Sequence, residues 1–291
     1  PLANTTYSIV SITDGNGCAN SGITSSVSVD VNPLPTIDNL VNNSATPLCV
    51  GSTIRLDATA TGFGSNYVYR WYFNNMVTPV YEGPNAFFEI ANATLANSGT
   101  YGVQVRDEKG CWSSIETLPI TVNANPVPTL AFDGTQLFCA GSSVSFVAGG
   151  GDRYVFYVDN AELQDDSSPN FTHVFGAGSH TVRVVVYDGI GCPAETSMTF
   201  TVNALPLGTI HHATASDAEV CIGESATLEI RGLTGSANWT VVYNANPGGD
   251  VTLPSISTSP YSFVVSPLAN TTYSIVSITD GNGCANSGIT S

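Results

Sequence analysis

The sequence predicts an all-β chain built from tandem β-sandwiches, and three observations carry that expectation. Apolar and polar residues alternate with period two: in "STIRLDATA" (52–60) Ile54, Leu56 and Ala58 share one side, and Arg55, Asp57 and Thr59 the other. "TVRVVVYD" places Val182, Val184 and Val186 together, and "TYGVQVRD" does the same with Tyr101, Val103 and Val105. Turn-forming Asn, Gly, Asp and Pro interrupt these runs at roughly 8–12-residue spacing, and no stretch keeps a helical stripe. Finally, two cysteine-centred patterns recur in alternation along the chain.

The first pattern is Cys-x-Gly followed by a strand: "CVGSTIRLDA" from Cys49, "CAGSSVSFVA" from Cys139 and "CIGESATLEI" from Cys221. The second is Asp-x-x-Gly-Cys after a Val/Ile-rich strand, with Asp14, Asp107, Asp188 and Asp280 leading to Cys18, Cys111, Cys192 and Cys284. Between them stand the junctions "VNPLPT" (31–36), "VNANPVPT" (122–129) and "VNALPLGT" (202–209). Proline ends strands and stiffens the chain, so these runs divide it. The divisions expected are 1–32, the closing strands of a preceding domain; 33–125 and 126–205, two complete sandwiches; and 206–291, a sandwich lacking its last strand.

A longer repeat encloses these. The opening run 1–25, "PLANTTYSIVSITDGNGCANSGITS", returns letter for letter as 267–291. Recent tandem duplication produces such identity, so the chain reads as slightly more than one period of a longer array, three domains to the period. An artificial overlap would give the same identity and leave the domain divisions unchanged.

Each domain owns one early and one late cysteine. The expected bridges are Cys49–Cys111, Cys139–Cys192 and Cys221–Cys284, which enclose loops of similar length, and Cys18 has its partner before residue 1. One disulfide per domain would stabilise each by roughly 4 kcal/mol in the chain-entropy model and implies an oxidising compartment. No CxxC pair or His cluster points to zinc.

All-strand units of this size with one bridge read as immunoglobulin-like sandwiches. Trp71 and Trp239 follow the early cysteines Cys49 and Cys221 at the point where a third strand buries an aromatic. "ANSGTYGVQV" (96–105) resembles the immunoglobulin tyrosine corner through Tyr101, although Val103 stands where that family has cysteine. The late cysteine, Cys111, comes well after Tyr101, so the expected bridge ties the last hairpin turn to the start of the second strand. The spacing from Tyr273 to Asp280 is one residue longer than that from Tyr101 to Asp107, which predicts a bulge or another tyrosine role in the third domain.

"GSHTVRVVVYDGIGC" (178–192) resembles the closing strands of PKD-like domains. The "DGNGC" and "VNPLPT" runs resemble the Ig-like and PKD-like repeats of very large Bacteroidota surface proteins, SprB-type gliding adhesins exported by type IX secretion among them. The PKD hallmark WxFGDG is absent; the middle domain has "YVFYVDN" (154–160). The resemblance implies an elongated array on the bacterial surface and carries over no catalytic residue.

Composition narrows the partners. Seven basic against 23 acidic residues give a net charge of −16, which repels phosphate backbones and anionic lipid surfaces. Only 10 % of residues are charged while 42 % are hydrophobic, so the chain folds but presents a neutral polar surface. No stretch is long and apolar enough to span a bilayer. Expected partners are neighbouring copies of the repeat, with surface polysaccharide or other cell-surface proteins as further candidates.

The search for chemistry returns little. His173, His180, His211 and His212 converge in no motif, and the adjacent pair points to opposite faces of a strand. "AGGGDRY" (148–154) lacks the Lys-Ser/Thr of a phosphate loop. The turn carboxylates Asp14, Asp107, Asp188 and Asp280 are calcium candidates, but capping of backbone N–H groups is the preferred reading. "QDDSS" (164–168) lacks spaced calcium ligands. Trp112 either stacks on a partner or, the preferred reading, covers a Cys111 disulfide. Asn-x-Ser/Thr triplets at Asn4, Asn42, Asn92, Asn170, Asn238 and Asn270 read as chance in an Asn/Thr-rich sequence.

The function expected is a non-enzymatic stalk or filament segment of a giant secreted surface adhesin, acting in attachment or gliding, with no cofactor. Two other readings stay open: a subunit of a non-covalent filament joined by strand exchange, and an accessory binding module of a secreted enzyme.

Overall fold

The computed structural model describes residues 1–134 and 136–289. By contacts the chain divides into two compact units, Pro1–Asn125 and Pro126–Ser291.

The first unit begins with four short strands, β1 (Thr5–Ser8), β2 (Ile12–Thr13), β3 (Ala19–Asn20) and β4 (Ser26–Val29). β1 pairs with β4 and β2 with β3, both antiparallel. Among the described residues no second sheet covers them, and Tyr7, Ile9, Ile12 and Val27 are exposed.

The first sandwich follows: β5 (Thr36–Asn42), β6 (Ile54–Thr61), β7 (Val68–Phe73), β8 (Tyr81–Gly83), β9 (Phe87–Ile90), β10 (Gly99–Arg106) and β11 (Glu116–Ile120). One sheet has the order β5-β6-β9 and the other β11-β10-β7-β8. The period-two pattern of β6 sends Ile54, Leu56 and Ala58 inward, onto Trp71, Tyr101, Val103 and Val105 from the facing sheet.

The second unit repeats this plan twice. Its first sandwich contains β12 (Thr129–Phe132), β13 (Ser143–Gly149), β14 (Arg153–Val158), β15 (Ala161–Asp166), β16 (Asn170–Val174), β17 (Gly178–Tyr187) and β18 (Pro193–Val202). Its second contains β19 (Thr209–His212), β20 (Ala226–Arg231), β21 (Trp239–Asn246), β22 (Gly249–Ile256), β23 (Tyr261–Val265), β24 (Thr272–Thr279) and β25 (Ala285–Asn286). The sheets are β12-β13-β16 with β15-β14-β17-β18, and β19-β20-β23 with β22-β21-β24-β25. The three-plus-four strand order is therefore the same in all three sandwiches. Each closes on its own core, aromatic in the second (Phe146, Phe156, Phe171, Phe175) and aliphatic with Trp239 in the third.

The expected irregularity in the third sandwich is a bulge. Val242 opposes Ser277 while Tyr243 opposes Ile275, leaving Val276 as the extra residue of β24. That insertion accounts for the longer spacing from Tyr273 to Asp280.

Candidate functional site at the sandwich junction

The cysteine turns sit at opposite ends of each sandwich, and the strand directions show why. In the second sandwich β17 runs up to the turn containing Cys192, and β18 runs back down to Val202. Asn203, the next residue, holds the early cysteine at that lower end. Its N–H donates to Phe138 O (2.8 Å), its carbonyl accepts from Ala140 N (2.8 Å), and Cys139 and Asn203 form a parallel bridge. The first sandwich repeats this with Asn123, which bridges Cys49 and exchanges hydrogen bonds with Leu48 and Val50. At its other end, Phe63, just past β6, donates its N–H to Asp107 Oδ2 in the late turn (3.3 Å).

Early and late cysteines of one sandwich are thus separated by the last strand. For the ten residues of β18 that is roughly 33 Å, whereas a disulfide tolerates a Cα–Cα distance of about 7 Å at most. The expected bridges Cys49–Cys111, Cys139–Cys192 and Cys221–Cys284 are corrected accordingly. Cys139 is bonded to Cys284, across the junction between the second and third sandwiches, with a Cα–Cα distance of 5.4 Å and a sequence separation of 145. Cys18, Cys111 and Cys221 are free thiols; Cys49 and Cys192 are not among them. At this junction a bridge within one domain is replaced by a bridge from one domain to the next.

The junction is packed around that bond. Cys284 is fully buried, and its Sγ lies 3.9 Å from Phe138 O. Leu137 Cδ1 reaches to 3.5 Å from where a Cβ on Gly283 would stand. Across the same joint, Asn286 Nδ2 donates to Pro206 O (3.0 Å). The linker is held in turn: Leu207 N donates to Thr234 Oγ1 (2.8 Å), and Thr234 N to Leu207 O (3.0 Å). A side chain at Gly208 would meet Ile278 and Leu233 at 2.9 Å, so glycine there permits close approach of the linker to the third core.

The late turns share one carboxylate device. Asp280 Oδ1 accepts from Asn282 N (3.0 Å) and Cys284 N (2.9 Å), while Oδ2 accepts from Ser236 N (3.1 Å). Asp107 accepts from Lys109 N and Cys111 N at 3.0 Å each, and Asp188 from Ile190, Gly191 and Cys192 N at 2.8–3.0 Å. Asp107 and Asp280 are buried. In Asp188 the Cys192 N–H foremost, then those of Gly191 and Ile190, hold the carboxyl below its ordinary value. These carboxylates aim at amide protons and fix where the late cysteine stands, the capping role preferred above. Among the described residues no three His, Cys, Asp or Glu side chains gather as a metal site.

The remaining expected residues are architectural. Trp71 is fully buried, donates Nε1–H to Asn85 O (3.3 Å) and stacks on Phe88. Tyr101 is fully buried, and its hydroxyl donates to Asn97 O (2.9 Å), a tyrosine corner. Trp239 is buried and donates to Thr234 O (2.7 Å), bracing the linker partner. Trp112 covers no disulfide, since Cys111 is free. Its ring lies under the Arg70 guanidinium at 4.0 Å, with Arg106 at 5.3 Å.

His180 pairs with Asp159 at 2.7 Å. The Asp159 hydrogen bond raises the imidazole above its ordinary value. The Thr181 N–H first, then His180, lower the Asp159 carboxyl. His211 bonds Thr209 Oγ1 (2.8 Å), and Asp165 of the acidic run accepts from Arg153 Nε (2.7 Å). "AGGGDRY" forms the β13–β14 turn with Gly150 at φ 101°.

Sequence reasoning missed Asn123 and Asn203. Their signal is a Val-Asn pair before every junction, overshadowed by the prolines that follow it.

No family model and no curated protein matches the chain. Solved structures of modest likeness exist. A Ca2+-stabilised adhesin of an Antarctic bacterium that binds ice is 15 % identical, covers 95 % of this chain and 78 % of its own, and has a TM-score of 0.38. A 1.5-MDa bacterial ice-binding adhesin is 17 % identical over 86 % of this chain and 96 % of its own, with a TM-score of 0.33. The fibronectin(III)-like modules of Clostridium thermocellum CbhA are 19 % identical over 59 % and 95 %, at 0.32. By its own strand order, this chain is a tandem of seven-stranded β-sandwiches.

Proposed function

We propose that the chain is a load-bearing segment of a stalk or filament in a very large bacterial surface adhesin, with a mechanical and not an enzymatic role. The Cys139–Cys284 bond carries this reading, because it runs alongside the peptide linker and locks one sandwich to the next. Under tension, the chain enclosed by the bond would otherwise extend by roughly 500 Å, taking 145 residues at about 3.4 Å each. With the bond intact that slack is unavailable. A disulfide at a load-bearing joint requires an oxidising compartment, which supports a location outside the cytoplasm.

The exact return of 1–25 at 267–291 supports an array of many copies. The adhesin would be one of the type IX-secreted surface proteins of Bacteroidota that the repeats resemble, working in attachment or gliding on surface polysaccharide or other cell-surface proteins. The test is the mass of the native protein in SDS with reductant. Several hundred kilodaltons supports the covalent array. A band near 30.3 kDa overturns it in favour of separate subunits joined by strand exchange.

A further inference from the structure

Among the described residues Cys18, Cys111 and Cys221 are free thiols, and they are not a random set. The bonded pair joins an early cysteine, Cys139, to the late cysteine of the following sandwich, Cys284. Under that pattern the partners of Cys18, Cys111 and Cys221 all fall in another copy of the repeat.

We propose that Cys221 of one copy of the long repeat forms a disulfide with Cys111 of the next copy, and that Cys18 pairs with the Cys139 of the preceding copy. The inference rests on the array reading and deepens it: the partner of each free thiol is a second copy of this sequence, and the joint is the one already seen between the second and third sandwiches.

Cys18 makes the strongest case. It occupies the same place in 1–25 as Cys284 does in the identical run 267–291. Its turn has the same hydrogen bonds: Asp14 Oδ1 accepts from Asn16 N and Cys18 N at 2.9 Å each, as Asp280 does from Asn282 and Cys284. Cys284 in that setting is bonded to Cys139.

Cys221 and Cys111 follow from the geometry of their turns. In all three early turns the third residue after the cysteine donates its N–H to the cysteine carbonyl, at 2.9 Å for Cys221 and 3.0 Å for Cys139. The glycine two residues on has φ of +82° after Cys221 and +83° after Cys139. That glycine N–H reaches the carbonyl before the sixth strand, Pro267 O in the third sandwich and Phe175 O in the second. Cys221 is thus presented as Cys139 is, and it is exposed. Cys111 is presented as Cys284 is, by a buried aspartate capping the same turn, and is half-exposed. The end of the third sandwich offers what the end of the second offers, and the head of the first offers what the head of the third offers.

The bond forms by oxidation of two thiols to one disulfide. Two protons and two electrons leave, and a protein or small-molecule disulfide of the extracellular space takes them up to become two thiols.

The test is a disulfide map of the native protein, alkylated without reduction and cleaved at acidic residues. The expected result is one peptide pair joining Cys111 to Cys221, with neither cysteine alkylated, and no alkylated peptide of the DGNGC turn shared by Cys18 and Cys284. Alkylation of both Cys111 and Cys221, or a bond from either to a cysteine of its own sandwich, overturns the proposal. In a Cys221→Ser variant, Cys111 should pass from unlabelled to fully labelled while Cys139–Cys284 is kept. Reduced mass on the same sample separates the two readings: a Cys111–Cys221 peptide from a chain running near 30.3 kDa keeps the pairing and overturns the covalent array.

Discussion

Residues 1–25 and 267–291 are the same text in two settings. Locally the two copies fold alike. Ile12 pairs with Asn20 and Thr13 with Ala19; in the second copy Ile278 pairs with Asn286 and Thr279 with Ala285. Within the Asp-x-x-Gly-Cys turn the hydrogen bonds are the same in both, and Asp280 alone also accepts from Ser236 N, outside the turn. Burial differs at the positions that face inward in the second copy. Ile9 is 44 % exposed and its counterpart Ile275 5 %; Ile12 is 54 % exposed and Ile278 is fully buried. The hairpin and its turn are therefore written in nearby residues, whereas core membership comes from the facing sheet β19-β20-β23 and from β21. Period-two alternation specifies which side is apolar, and only the rest of a sandwich makes that side an interior.

The contrast is sharpest in thiol chemistry. In the chain 1–291 by itself, a thiol reagent without denaturant should modify Cys18 and leave Cys284 untouched until reductant is added. Equal labelling of the two would remove the distinction. Truncation of the paired isoleucines comes next. Ile278→Ala should lower the stability of the third sandwich by about 3 kcal/mol, and Ile12→Ala by less than about 0.5 kcal/mol, read by denaturant unfolding followed at Trp239. Similar losses at both sites would mean that residues 1–32 are packed after all.

A smaller contrast is expected at the turn. Asp280→Ala leaves three amides without an acceptor, that of Cys284 buried, and should cost about 2 kcal/mol, while Asp14→Ala, with its amides open to water, should cost under about 1 kcal/mol. The smallest effect lies outside the repeated text and sets a baseline for exposed pairs. Asp159 is lowered and His180 raised, so their pair contributes above the unfolded aspartate value and below the unfolded histidine value. That contribution fades as pH falls through the Asp159 titration or rises through that of His180. His180→Ala should cost about 0.5 kcal/mol near pH 5.5 and less at pH 8.5; a larger cost at pH 8.5 would contradict the pairing.

Much of this was legible in the residues. Alternation in 52–60 and 181–188 placed strands whose inward residues are the ones buried, and the one-residue excess between Tyr273 and Asp280 marked an irregularity, a bulge or another tyrosine role, of which the bulge at Val276 is the one found. The cysteine partners were not legible. Their regular spacing invites pairing within each domain, because spacing carries no direction. Which end of the sandwich each turn occupies depends on the antiparallel return of β11 and β18 and on the Asn123 and Asn203 bridges, both long-range facts. The setting of Trp112 was hidden for the same reason, since its partners Arg70 and Arg106 come from two other strands.

The Cys139–Cys284 bond also changes what a protease can do. A single cut after Arg231, whose side chain is about half-exposed, would split the backbone but leave both pieces joined through sulfur. Were the same joint repeated at every junction, the enclosed stretches would overlap from one sandwich to the next. A nick anywhere in such a fibre would then be a local injury, and parting it would take either a reductant or several cuts between the same two bridges.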